Sequence, residues 1–247
     1  MSETAIVTGA SSGIGAATVA ALRHAGFDVH ALARRADRLE ALAAATGCEA
    51  HVVDVNDTPA LERLLGAIEA DVLVNNAGLG RAMDSLAEAS FDDIERTVAT
   101  NVTAVLHATR IVLPGMIARR RGHIVNLGSM AGLYPLSAAL YGATKGAVHR
   151  LSTNLRLELR GTGVRVTEVC PGRVVSEFYD VAVDDPDRRS QLLATGIDEI
   201  TSEDVAELIR YAVVSPARMN INRIEVQPTE QTYGGSQFVP TRGSDDE

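Results

Sequence analysis

The 247-residue chain has 32 acidic residues against 23 Lys and Arg, a formal net charge of −9, and 46% hydrophobic content. Such a length suits one large domain with a full core, and the acidic balance argues against a general nucleic-acid or anionic-membrane surface. Apolar runs fall short of the roughly 18 residues that span a bilayer, and Met1-Ser2-Glu3 leads straight into a strand-like segment, so a soluble, cytoplasmic chain is expected.

Short apolar runs alternate with helix-period segments, which predicts βαβ units. Seven strands are expected, at Thr4–Thr8, Asp28–Ala33, Ala50–Val55, Asp71–Asn75, His123–Leu127, Val164–Val169 and Ile221–Val226. They predict an α/β fold over residues 1–240: a single-domain, Rossmann-type, doubly wound parallel sheet with helices on both faces.

The first strand runs into Thr8-Gly9-Ala10-Ser11-Ser12-Gly13-Ile14-Gly15, and a small-residue helix follows to a glycine stop at Gly26. Glycines there let the backbone turn tightly against a pyrophosphate held by helix N-terminal amides. The G-x-x-x-G-x-G string alone also fits a plain tight turn. After the second strand, where NAD sites place an acidic residue, the chain reads Ala33-Arg34-Arg35. A guanidinium there binds a 2′-phosphate, so NADP(H) is the expected cofactor, with Ser11 assisting. Arg34, Arg35 and Arg38 also fit a solvated helix start. Asp54, closing the third strand, sits where an adenine amino group is met.

Helix starts are expected at Thr58-Pro59, at Ser90-Phe91-Asp92-Asp93 and at Thr201-Ser202-Glu203-Asp204. Arg119-Arg120-Arg121 reads as the solvated end of a helix. In Tyr141-Gly142-Ala143-Thr144-Lys145 a phenol and an ammonium share one helix face. A tyrosine of ordinary pKa near ~10 becomes an acid–base catalyst when a cation stabilises its phenolate. By itself the pair also fits a solvated helix face. Val174 to Ile200 reads as a substrate flap over about 173–200, with Asp184-Asp185-Pro186-Asp187-Arg188-Arg189 interrupting its helical pattern. Thr241 to Glu247 reads as a frayed acidic tail.

Cys48 and Cys170 form no C-x-x-C pair and read as reduced and structural. His24, His30, His51, His107, His123 and His149 show no H-E-x-x-H spacing, so no metal is expected.

Taken together, Thr8 to Gly15, Asn75-Asn76-Ala77-Gly78, Asn101, Ser129, Tyr141 with Lys145, and Pro171-Gly172 resemble the short-chain dehydrogenase/reductase family over nearly the whole chain. The resemblance implies an NADP(H)-dependent oxidoreductase with a catalytic set of Asn101, Ser129, Tyr141 and Lys145. Tyr141 would shuttle the proton, Ser129 would hydrogen-bond the substrate oxygen, and Lys145 would favour the phenolate and hold the nicotinamide ribose. Asn101 would bridge a water towards Lys145. Asn76-Ala77-Gly78 would support the adenine-ribose wall, Pro171-Gly172 would lie beside the nicotinamide, and Ser176, in place of the family's commoner threonine, would bond its carboxamide. Gly9, Ser12, Gly13, Ile14, Gly15, Val55 and Val174 complete the expected cofactor contacts.

One departure stands out: eleven residues, not the family's usual twelve, separate Ser129 from Tyr141, so the loop through Tyr134-Pro135-Leu136 is one short. Gly128 in the serine position would offer no hydroxyl, and Ser129 is retained. The ending Asn220 to Pro228 with Gln231 to Gly235, and Tyr134-Pro135, resemble the serine and 3-hydroxy acid dehydrogenase branch. That implies a small 3-hydroxy acid or its semialdehyde as substrate, with Arg173 either the cation that meets it or a solvent-facing loop arginine. A sulfonate semialdehyde, a larger secondary-metabolite ketone, and a non-catalytic NADP-binding sensor are the competing readings. The family also implies a homotetramer, packed through the helices after Ser90 and around Tyr141.

Overall fold

A computed structural model gives the architecture and describes residues 2–81, 83, 85–232 and 238–240. Seven parallel strands, β1 (Thr4–Thr8), β2 (Asp28–Ala33), β3 (Glu49–Val52), β4 (Val72–Asn75), β5 (Gly122–Leu127), β6 (Val164–Pro171) and β7 (Arg223–Val226), form one sheet. Their order is β3-β2-β1-β4-β5-β6-β7. Alternate residues of β1 feed opposite cores. Ala5 and Val7 pack with Val19, Leu22 and Ile209 from α1 (Gly13–His24) and α9 (Ser202–Val214). Ile6 packs with Leu61, Met116 and Leu155 from α3 (Thr58–Gly66), α5 (Ala104–Arg119) and α6 (Ala139–Glu158). The expected doubly wound parallel sheet is therefore present, and α2 (Ala36–Thr46) joins the first helical layer through Leu39.

Strand order reverses between β1 and β4, so their carboxyl ends open the crevice in which such sheets bind ligands. β1 and β2 have the predicted bounds. β3 stops three residues early, at Val52, because an edge strand has a ladder on one side only, and Asp54 already turns to accept the Asn56 amide at 2.9 Å. Ser90 accepts the Asp93 amide, and Thr201 forms a capping box with Asp204, both as the sequence predicts. α3 is capped one residue earlier than expected, by Asp57.

Two expectations are corrected. The polar stretch at 184–189 breaks the helical pattern only at its start, between Ala182 and Pro186; its later residues are helical, and Asp185 caps them, accepting the amides of Asp187 and Arg188 at the start of α8 (Pro186–Leu193). The helix after Ser90 is not uniform either: α4 (Phe91–Val98) passes through a π-turn at Ala99–Thr103 into α5. This 29-residue run is long and apolar enough to cross a membrane by length and composition, which the short apolar runs of the sequence do not show. Its Ala108, Val112 and Met116 are instead buried in the core. The predicted tail, 241–247, and Tyr233 to Gly235 lie outside the described residues.

Candidate active site

A cavity of about 870 Å³ runs across the carboxyl ends of the strands, from Gly9 and Arg35 at one end to Tyr141, Lys145 and Tyr179 at the other. Its first end is the glycine turn. Gly9 and Gly13 have φ of +68° and +53°, which a side chain resists. A Cβ on Gly15 would stand 2.3 Å from the Gly9 carbonyl oxygen, so α1 can press onto the turn only with glycine there. Ser12, the N-cap of α1, makes no side-chain cap, and the first helix amides have no intrahelical acceptor, which suits an anion. Asn76 ties this turn to β4, donating to the Thr8 and Gly9 carbonyls at 2.9 and 3.1 Å, while the Ala77 amide donates to the Thr8 hydroxyl.

Arg35 reaches over the same turn, donating to the Ser11 and Ser12 hydroxyls at 3.0 and 2.6 Å. Its remaining nitrogen meets Glu177 at 2.9 Å, and Arg38 meets the other oxygen of that carboxylate at 3.2 Å. Those guanidinium groups hold the Glu177 carboxyl below its ordinary range. Arg34 turns instead towards Asp54, at 3.7 Å, and is largely exposed. Val55 and Gly78 complete this wall. No local pattern marks Glu177; its role follows from the chain folding back 142 residues after Arg35.

At the other end, Ser129 and Tyr141 line the same end of the cavity despite the short loop, and Ser129 acts to lower the pKa of the Tyr141 hydroxyl. Ser129 also caps a 3-10 turn through the Ala131 amide. Lys145 is buried, donates to the Leu127 carbonyl at 2.8 Å, and lies 5.8 Å from the centre of the Tyr141 ring. Burial pushes Tyr141 up to about 12, outweighing Ser129, and pulls Lys145 down to about 8. Desolvation thus governs the phenol, where the sequence leads one to expect the Lys145 charge to do so. Asn101, in the π-turn, is buried and anchored: it accepts the Leu79 amide and donates to the Leu79 carbonyl, both at 2.7 Å, and to Thr144 at 3.0 Å. Beneath Lys145, the fully buried Glu168 accepts from or shares a proton with His149 at 2.8 Å, a pair the sequence does not flag.

Beside these groups β6 ends at Pro171, and the Gly172 amide donates to the Val226 carbonyl at 2.7 Å. A parallel bridge joins Val174 to Ile200, closing the segment that carries Ser176, α7 (Phe178–Ala182) and α8 into a loop over the cavity. Phe178 packs its ring 5.4 Å from Tyr141 and 5.3 Å from Tyr179. Arg173 is neither solvent-facing nor without a counter-charge. It is buried, donates to Glu199 at 2.8 Å and to the Leu192 carbonyl at 2.7 Å, and stacks 4.3 Å over the Tyr179 ring.

Residues 3–186 match a protein-family model described as short chain dehydrogenase. The NADP-dependent 3-hydroxy acid dehydrogenase YdfG of Escherichia coli is 38% identical over 239 residues, covering 93% of this chain and 96% of the relative. Serine 3-dehydrogenase of Agrobacterium fabrum is 38% identical over 245 residues, covering 96% and 98%. Among solved structures, the closed form of a serine dehydrogenase complexed with NADP+ superposes with a TM-score of 0.89 at 38% identity, covering 94% of this chain and 97% of that one.

Proposed function

The chain belongs to the short-chain dehydrogenase family, and from that premise we propose that it is an oxidoreductase moving a hydride between NADP(H) and a small 3-hydroxy acid or the matching semialdehyde. The observation that carries this reading is one cavity with a glycine turn and Arg35 at one end and Ser129, Tyr141 and Lys145 together at the other. The residues fit the cofactor: Gly9 and Gly13 hold the tight turn, the first amides of α1 have no side-chain cap, and Arg35, with Ser11 and Ser12, offers a charged fork to a 2′-phosphate. Relatives named for NADP support that choice. When bound, the cofactor supplies or accepts the hydride at its nicotinamide.

The chain's own part is the proton and the orientation. Ser129 and Tyr141 hold the substrate oxygen between two hydroxyls, and Tyr141 gives or takes the proton there. Lys145 places a positive charge behind the phenol and offers its ammonium to the ribose. Asn101 acts by fixing the Leu79 backbone and Thr144, next to Lys145 in sequence. Pro171, Gly172, Val174 and Ser176 face the nicotinamide side of the cavity.

Small substrates are favoured because Phe178 packs on the Tyr141 ring and Tyr179 packs on Phe178, which narrows that end of the cavity. Arg173 meets a substrate carboxylate in this reading by exchanging its Glu199 partner. Replacing both members, Arg173→Gln with Glu199→Gln, removes the pair without leaving a lone buried charge. KM for hydroxy acids is then expected to rise while KM for neutral alcohols holds; equal effects on both would exclude Arg173 from substrate binding. A homotetramer belongs to the same proposal, supported by exposed Leu106, Ile117 and Leu157 on α5 and α6. The deciding assay follows NADPH over small 3-hydroxy acids, semialdehydes, sulfonates and bulky ketones. Turnover of bulky ketones alone would overturn the substrate class.

A further inference from the structure

On the sheet face opposite the α1 layer, across the strand pair β2 and β3 at one edge of the sheet, three side chains converge that take no part in the cavity. His30 stands on β2, directly beside Glu49 on the edge strand β3, and His51 follows Glu49 by two residues, so all three project from one face. His30 Nδ1 lies 2.9 Å from His51 Nε2. One Glu49 oxygen lies 3.5 Å from His30 Nδ1 and the other 3.4 Å from His51 Nε2. The two imidazole planes differ by only 19°.

A single shared proton accounts for the contact between the nitrogens. It leaves the carboxylate aimed at those same two nitrogens, already engaged with each other, at distances longer than ordinary hydrogen bonds. A cation accounts for all three contacts. Around a tetrahedral ion with ligand bonds of about 2.0–2.1 Å, neighbouring donor atoms stand about 3.3 Å apart. The two nitrogens stand 2.9 Å apart, each has its own Glu49 oxygen at 3.5 or 3.4 Å, and one donor atom from each of the three residues lies within 4.8 Å of the others, a spread that a small turn of the exposed carboxylate closes to that figure. The imidazoles are mostly covered, with 16% and 17% of their side chains exposed, and sit on hydrogen-bonded strands, so little ordering remains to be done on binding. Glu49 is 66% exposed and leaves the fourth position open to water.

We propose that His30, Glu49 and His51 form a divalent-metal site of the zinc class, which clips the edge strand β3 to β2. Two imidazoles with one carboxylate suit zinc better than calcium or magnesium, which prefer oxygen ligands. The sequence carries no close-spaced ligand motif, so no metal is expected from it; here one donor comes from a different strand, 21 residues before its partner.

The test uses the full chain after dialysis against EDTA. Zn²⁺ titrated against a chromophoric chelator is expected to bind one ion per chain. At a hundredfold excess over Kd, Tm should rise by about 5–10 °C. Substituted Co²⁺ should give the intense visible bands of a four-coordinate ion. His51→Gln and Glu49→Gln are each expected to weaken Zn²⁺ at least about tenfold, while His24→Gln leaves it unchanged. Circular dichroism confirms that each variant is folded, and NADPH binding should be untouched, since none of the three lines the cavity. Absence of stoichiometric Zn²⁺ binding, or binding that survives both substitutions, would leave a proton-sharing histidine pair and overturn the site.

Discussion

Tyr141 and Lys145 stand four residues apart on α6, which the sequence makes plain, but their protonation is set by surroundings it does not contain. With the phenol pushed up to about 12, the chain carries Tyr141 as a proton donor at neutral pH. Tyr141→Phe is expected to lower kcat by ~10²–10⁴-fold, the usual worth of a positioned acid, with NADPH affinity kept; undiminished turnover would remove Tyr141 from the chemistry. Lys145, depressed to about 8, keeps its ammonium below that value and loses it above. The kcat/KM for carbonyl reduction should therefore fall as pH rises through about 8, and a flat profile to pH 10 would deny Lys145 its electrostatic part. Arg34 and Arg35 look alike in the sequence, yet only Arg35 folds over the serine hydroxyls of the turn. That distinction depends on where two neighbouring side chains point as α2 begins, which no motif encodes.

Elements were legible where local chemistry decides them. The central strands are apolar runs closed by glycine or polar breakers, and the Ser90 and Thr201 caps are local hydrogen bonds that any chain with those residues can make. What escaped depends on distant partners: the end of β3 on its lone neighbour, and the π-turn on the grip of Asn101 on Leu79, 22 residues earlier. The glycine turn lies between these cases, because its string is visible but the reason for Gly15 is a contact with Gly9 and Asn76. Gly15→Ala forces a carbon into the Gly9 carbonyl and is expected to cost about 1–3 kcal/mol of stability. NADPH affinity should fall with it. Chemical denaturation alongside a binding titration checks both, and an unchanged midpoint would mean that the turn can move away from α1.

For the whole molecule, one source of acid sensitivity lies inside the sheet. His123 on β5 is buried, with Nε2 on the Thr167 hydroxyl at 2.8 Å and no partner for Nδ1. Burial holds it down to about 3, from an ordinary 6.5. The unfolded chain takes up that proton first, so stability is full above pH 6.5 and drops by about 1.4 kcal/mol per pH unit as pH falls towards 3. His123→Leu should flatten this limb in acid denaturation curves; an unaltered curve would assign the sensitivity elsewhere. The placing of Glu177 between Arg35 and Arg38 has a wider consequence. In the proposed cofactor site Glu177 already pairs with the guanidinium offered to a 2′-phosphate, so binding the coenzyme would trade one ionic partner for another. Affinity for NADPH is then expected to be nearly indifferent to added salt, whereas Glu177→Gln should bind more tightly in dilute buffer and weaken steeply as salt is raised. Titrations of both proteins at low and high ionic strength will show whether the enzyme keeps this built-in rival.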